Sequence, residues 1–410
     1  MAVTSSHQAN LRSWVIWITA GVFYLYEFAH RVAISVMIPE LSASFDVSSA
    51  MISSLAAYYF FAYAFAQIPV GLLIDRYGTH ILLSFACLTI AIASFIFAYT
   101  NQIMFANYCR ILIGFGSAFA FVGCLKLAAS WFPANKFGLI VGLTNLFGVA
   151  GAIIGGNPMA HAVDAFGWRA VMYISGLLGI LITCLLWKII SDSKTKKSVH
   201  SSDKTTVVTK LKTIIKNKQS WLIAVFAGCM VAPIVTYSEL WGVTYLIDTY
   251  NLNRPDAAHI ATLSFIGIAV GGPLIGWLSD YFRKRTTFMA IGIFGALVSM
   301  SLILFGPIMP IWGISFLHIT LGFFTSSMLL CFSLNSETTL PNIRATTLAF
   351  TNSIIMLTGA TLQTISGYLL DYTYHNYNLS FVPLMACYLI ALGCFMFIVD
   401  TKCKFKTNCA

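Results

Sequence analysis

Charge-free apolar stretches recur along the whole chain, over 47–74, 81–109, 170–187, 286–336 and 345–370. A helix needs about 20 residues to cross a hydrocarbon core ~30 Å thick, so each stretch can supply a crossing. No water-soluble core absorbs that many: hydrophobic residues make up 58% of the chain and charged ones 9%, against roughly 45–50% and 25% in an ordinary soluble domain. The chain is therefore read as an all-α polytopic membrane protein. Tyr99-Thr100-Asn101-Gln102 interrupts one long run and Gly306-Pro307-Ile308-Met309-Pro310 another, which turns long runs into helix pairs.

Cutting at such polar turns predicts twelve transmembrane helices, at about 12–39, 49–73, 80–99, 102–131, 136–160, 168–190, 219–248, 256–280, 286–306, 310–337, 342–371 and 378–399. The one long hydrophilic segment carries eight lysines and falls near mid-chain. The expected organisation is a six-helix bundle over 1–190, a basic linker over 191–218, a second six-helix bundle over 219–400 and a tail over 401–410. With the amino terminus in the cytoplasm, 19 of the 24 Lys and Arg lie inside, only Arg169 and Arg254 lie outside, and Arg31, Arg110 and Lys126 fall within helices. Basic loops stay cytoplasmic, so both termini and the linker are expected there. The net charge of +10 is then a topology signal, and no nucleic-acid partner is expected from charges dispersed beside apolar spans. The ten cysteines show no paired CxxC spacing and are read as free thiols. The polar stretch 1–13 lacks a small-residue cleavage signature, so the first span is expected to be retained.

The two halves repeat one another. Gly71-Leu72-Leu73-Ile74-Asp75 recurs 205 residues later as Gly276-Trp277-Leu278-Ser279-Asp280. Gly114 and Gly322, Pro133 and Pro341, and Lys136 and Arg344 lie 208 apart, and Thr144-Asn145 and Thr351-Asn352 lie 207 apart. Several matches in one order at nearly one offset indicate pseudo-symmetric halves. Secondary transporters are commonly built so, with the solute site between the halves.

Gly71-Leu-Leu-Ile-Asp75-Arg76-Tyr-Gly78 resembles the loop 2–3 signature of the major facilitator superfamily, G-x-x-x-D-R-x-G, although Thr79 and His80 stand where two basic residues usually follow. Arg110-Ile-Leu-Ile-Gly114-Phe-Gly116 resembles the superfamily's helix 4 motif, and Glu337 with Arg344 its E-x6-R pattern between helices 10 and 11. The helix 5 antiporter signature is incomplete, since Asn157-Pro158 follows the paired Gly155 and Gly156, so antiport is not supported. Helix 1, with Glu27, His30, Arg31 and Ser35, is similar to the bacterial phagosomal-transporter group; Trp131-Phe132-Pro133 and the helix 1 arginine resemble organic anion–cation symporters, and lysosomal dipeptide carriers are a further relative. The superfamily resemblance implies that helices 1, 4, 7 and 10 line a central cavity. It also implies an inner gate at Gly71, Asp75, Arg76, Gly78, Asp280, Glu337 and Arg344.

A cation at the centre of a membrane helix costs about 2.5–3.5 kcal/mol on insertion scales, so Arg31, Arg110 and Lys126 need partners or a wet cavity. Glu27 lies four residues before Arg31 and is expected to neutralise it. Counted back from the outer helix ends, Arg31, Arg110 and Glu239 share one layer at roughly 13 Å depth. The expected solute-binding residues are Arg31, Lys126, Glu239, Tyr59, Asn145 and Asn352, and the proton-coupling residues Glu27, Arg110 and Glu239. The glycines of helices 5 and 8, including Gly142, Gly151, Gly155, Gly267 and Gly271, form small-residue faces for close packing.

The chain has no G-x-x-x-x-G-K-[ST] phosphate loop to drive an ATP pump, and no HExxH or GxSxG to suggest an enzyme. The expected function is secondary active transport of a small polar organic solute (an amino acid, small peptide or organic anion) by alternating access, coupled to protons. Alternatives are a nucleoside or sugar uniporter and a transport-like nutrient sensor. The expected setting is a plasma membrane, the bacterial inner membrane, with the chain a monomer; its partners are the solute, the proton and the lipid bilayer, and no cofactor or metal is expected.

Overall fold

The computed structural model describes residues 11–133, 137–190, 207–340 and 343–402, with the side chains of Ile68, Leu72, Asp75, Phe137, Gly138, Val207, Val208, Lys210 and Ala345 left out of account. These residues form twelve spans in two bundles of six, without strands. The first half comprises α1 (Leu11–Val32), the surface helix α2 (Ile38–Phe45), α3 (Ser49–Tyr77), α4 (Thr79–Tyr99), α5 (Ile103–Trp131), α6 (Phe137–Gly155) and α7 (Asn157–Ile189). After α8 (Val207–Lys216), the second half comprises α9 (Lys218–Thr236), α10 (Gly242–Tyr250), α11 (Arg254–Phe282), α12 (Arg285–Phe305), α13 (Ile311–Thr325), α14 (Leu329–Thr338), α15 (Arg344–Tyr372), the short α16 (Tyr377–Ser380) and α17 (Val382–Phe395). Ten helical stretches are long and apolar enough to cross a bilayer; one of them, Leu139–Ile189, holds both α6 and α7.

Several boundaries differ from those read off the sequence. The break expected between 160 and 168 falls at Gly167 (φ 77°, ψ 155°), whose non-helical backbone joins two helices within α7, so span 5 runs past a kink at Gly156 and span 6 starts at Trp168. Three spans are interrupted: a 3-10 turn follows α1 at Ala33–Val36, a π turn at Tyr237–Trp241 separates α9 from α10, and a 3-10 turn at Ser326–Met328 separates α13 from α14. These are spans 1, 7 and 10. The segment expected as a plain linker contains α8, whose Ile214 is buried against Ala224, Ile343 and Phe350; residues 191–206, with Lys194, Lys196, Lys197 and Lys204, lie outside the described residues, as do Lys136, Lys404 and Lys406.

Close packing repeats in the two halves at the sequence offset. A Cβ at Gly114 would stand 2.2 Å from the Tyr59 carbonyl oxygen, bringing α5 against α3; a Cβ at Gly322 would stand 1.8 Å from that of Ser264, bringing α13 against α11. Backbones that approach so closely exclude any side chain, which is how small residues join membrane helices. Between the halves, α3 packs along α15, and α11 meets α6 and α7.

Candidate functional site

Arg31, in the last turn of α1, and Glu239, in the π turn, meet between the two bundles. Arg31 Nε donates to Glu239 Oε2 at 2.7 Å and Nη2 to Oε1 at 2.9 Å, and both side chains are at least nine-tenths buried. The guanidinium also lies 4.8 Å from the ring centres of Phe28 and Phe60. A planar guanidinium fits a carboxylate through two parallel bonds, a geometry lysine lacks. The two positions are 208 residues apart, the offset of the internal repeat. Equivalent sites of the two opening helices therefore face one another across the pseudo-symmetry axis, and one carries a cation where the other carries an anion. The π turn aims Glu239: the Gly242 N–H bonds to the Tyr237 carbonyl five residues back, a widening of the helix that often marks functional positions.

Beside this pair, Tyr59 of α3 donates its hydroxyl to Glu27 Oε2 at 2.7 Å. Glu27 acts on Arg31 through space, while Arg31 gives its hydrogen-bonding fork to Glu239, because the second half presents both carboxylate oxygens to the guanidinium. Arg110 is 2% exposed; its Nε donates to Leu55 O at 3.2 Å and its Nη1 to His30 O at 3.1 Å, and it lies 4.8 Å from the Tyr59 ring centre. It ties α5 to α1 and α3 through carbonyl oxygens, while its Nη2 has no hydrogen-bond partner. Arg31, Glu27, Tyr59, Arg110 and Glu239 form one buried cluster. The His30 ring turns away from it to Ser175 Oγ at 2.8 Å and Tyr26.

The other expected solute ligands lie toward the end of the bundle bearing the linker. Lys126, half-buried, is sixteen residues beyond Arg110 on α5, about 24 Å along the axis at 1.5 Å per residue. Asn145 is exposed on α6 and Asn352 half-buried on α15. Asn352 hydrogen-bonds with Tyr63, whose ring stacks on that of Tyr59 with centres 6.2 Å apart.

At the far end from the linker the halves are tied together by charges at or near helix ends. Arg254 at the start of α11 pairs with Glu40 and, at 2.9 Å, with Asp164 of the first half. Asp371, near the end of α15, accepts the Ser49 and Ala50 N–H groups, each at 2.9 Å, and so caps the amino terminus of α3 from the opposite half. His375 Nε2 lies 3.0 Å from Ser49 Oγ, and Asn157 Nδ2 donates to Pro255 O at 2.8 Å.

At the linker end, a Cβ added to Gly71, Gly142 or Gly276 would meet nothing within 4 Å, and Arg76 and Asp280 are exposed. Arg285 pairs with Asp280 at 2.5 Å and with Glu337 at 2.8 Å, and Thr401 donates to Glu337. Arg285, read as a loop charge, is buried and is the centre of this network; its buried setting follows from packing that sequence periodicity does not contain. Gly78 (φ 87°) turns the chain from α3 into α4 within a single residue, a backbone shape that favours glycine. Arg344 begins α15, half-buried. The Asp75 side chain lies outside the described residues.

The family model for the Major Facilitator Superfamily matches residues 16–361. The chain is similar to the uncharacterized transporter YybO of Bacillus subtilis, 27% identical with 67% of each chain covered. It is also similar to the probable galactarate/D-glucarate transporter GudP of Escherichia coli, 22% identical over 72% of this chain and 73% of that one. Among solved structures, a bacterial homologue of the human lysosomal transporter Spinster, inward-facing and unoccupied, superposes with a TM-score of 0.71 at 15% identity, covering 96% of each chain. That likeness is one of fold.

Proposed function

The chain belongs to the Major Facilitator Superfamily, a transporter fold and not an enzyme, and on that premise we propose that it carries a small organic anion across the membrane by alternating access, coupled to protons. The observation that carries this reading is the buried Arg31–Glu239 pair between the halves. A solute carboxylate competes with Glu239 for the Arg31 fork. Once displaced, Glu239 is a carboxylate within the membrane without its cation, a state costly enough that taking a proton relieves it. Solute binding and proton uptake are thereby linked at one pair. Tyr59 and Glu27 stand ready to exchange a second proton within the same cluster, and Arg110 holds the cluster's cationic side. Lys126, Asn145 and Asn352 guide the anion in from the linker end. The similarity to GudP, named for two sugar acids, supports an anionic solute over a neutral one.

In this reading the linker end is cytoplasmic, with both termini, and the far-end ties through Arg254 and Asp371 describe an inward-facing state. Asp75 and Asp280 then belong to the opposite, outward-facing state, in which they meet helix amino termini across the halves. The membrane is a plasma membrane and the chain works as a monomer.

The test is uptake of labelled D-glucarate into protein-containing liposomes with and without an imposed pH gradient. Uptake driven by an inward proton gradient, and weakened by Arg31→Lys despite the retained charge, is expected. A neutral sugar as sole solute, bound normally by Arg31→Ala, would overturn the proposal.

A further inference from the structure

At the linker end of the second half, outside the transport path, an open pocket of about 540 Å³ lies between the turn joining α11 to α12 and the chain that follows α17. Its lining is Phe282, Arg283, Lys284, Thr287, Asp400 and Lys402. The three cations are exposed and, among the described residues, none of them forms an ion pair. The one carboxylate is turned inward and occupied: Asp400 Oδ2 accepts the Thr286 N–H at 3.1 Å and its hydroxyl at 2.7 Å, and Oδ1 accepts the Lys402 N–H at 2.8 Å. Arg283 and Lys402 both hold left-handed backbone, with φ of 53° and 51°. Where the first half makes the equivalent turn through Gly78 (φ 87°, ψ 157°), 205 residues earlier, the second half turns through Arg283 in the left-handed helical conformation (φ 53°, ψ 39°), and the side chain there is a cation.

An aromatic ladder leads away from the pocket along α11. Phe282, part of the pocket wall, contacts Tyr281 with ring centres 5.1 Å apart, and Tyr281 stacks on Trp277 at 5.8 Å. All three are more than half exposed. Tyr and Trp collect where bilayer meets water, one side apolar and the other wet. A rim of exposed cations beside such a ladder matches an amphiphile with a phosphate head and hydrocarbon tails: guanidinium and ammonium groups take the phosphate oxygens, and the ladder lies along the tails.

We propose that this pocket binds the phosphate headgroup of an anionic phospholipid from the leaflet at the linker end. The lipid bridges the α11–α12 turn and the post-α17 chain, two segments that Asp400 already joins through Thr286. Thr401, next to Lys402, reaches Glu337, so the bound headgroup steadies the segment that feeds the Arg285 network.

The experiment is native mass spectrometry of the full-length protein, delipidated and titrated with phosphatidylglycerol, with phosphatidylcholine and inorganic phosphate as separate arms. Retention of one tightly held phosphatidylglycerol is expected, with Arg283→Gln/Lys284→Gln/Lys402→Gln weakening it about tenfold or more and Arg283→Lys/Lys284→Arg/Lys402→Arg restoring it. Lys212→Gln/Lys216→Gln on α8 should leave it unchanged. Equal loss with the α8 variant, equal retention of phosphatidylcholine, or displacement by millimolar inorganic phosphate would overturn the lipid site. The readout needs no transport, so it stands or falls apart from the anion-carrier reading.

Discussion

Replacing Glu239 with Gln should open the far end of the protein. The wild-type pair makes two charge-assisted hydrogen bonds, at 2.7 and 2.9 Å, between side chains at least nine-tenths buried. Bonds to charged groups contribute about 1.5–3 kcal/mol each. Gln keeps one acceptor and loses both the second bond and the opposing charge, so about 2–3 kcal/mol of the tie between the halves is removed. At 1.4 kcal/mol per decade this shifts the closed-to-open ratio of the far end by roughly 30- to 150-fold. The remaining ties cannot absorb the loss: the partly exposed Arg254 pairs contribute about 0–1 kcal/mol each, and the Asp371 cap about 1 kcal/mol. Spin labels at Ala43 and Tyr374, exposed positions on the two halves, read the distance by pulsed electron resonance on a background without native cysteines. Glu239→Gln should move most of the distribution to longer values, and Arg31→Lys, which keeps charge but loses the fork, should move a smaller part of it. A Glu239→Gln distribution superimposable on wild type would refute the claim that this pair holds the halves together.

Asp371→Ala removes the cap on α3, so the same label pair should report a shift of about fivefold, from ~1 kcal/mol; loss of thermal stability with unchanged distances would assign Asp371 to folding alone. Gly322→Ala should lower the melting temperature sharply in a thermal-shift assay, because a Cβ there meets the Ser264 carbonyl at 1.8 Å, whereas Gly276→Ala, with nothing within 4 Å, should leave it unchanged. Burial pushes the Asp400 carboxyl up, but hydrogen bonds from Lys402, Thr286 and Arg285 outweigh it and hold the group below the usual carboxylate range. Its contribution is therefore present above that range and lost as pH falls through the depressed value; the protection factor of the Thr286 amide, the intrinsic exchange rate at the same pH divided by the observed one, should fall in acid in the wild type and be low at all pH values in Asp400→Ala.

Much of the architecture is legible in the amino-acid order because insertion is a local matter. Whether a span-length segment can sit in hydrocarbon depends on its own residues alone, so the spans, the helix-pair breaks at 99–102 and 306–310 and the duplicated halves follow from reading along the chain. Glycine pairs at the repeat offset are legible for a related reason: a duplicated backbone approach imposes the same lack of side chain in both copies, as Gly114 and Gly322 do. Arg31, Arg110, Glu27 and Glu239 stand out as candidates because charge inside a span is costly wherever it occurs.

What the order of residues leaves open is which partner each charge takes. The i, i+4 spacing favoured Glu27 for Arg31, yet the guanidinium meets Glu239, 208 residues away, because docking the two bundles brings equivalent helix positions together and the π turn orients the carboxylate. Arg254 and Arg285 looked like loop charges and became ties, since their significance depends on what another half or another turn places within hydrogen-bonding reach. A local pattern records the cost of burying a group, and only the tertiary fold supplies the opposing charge that offsets it.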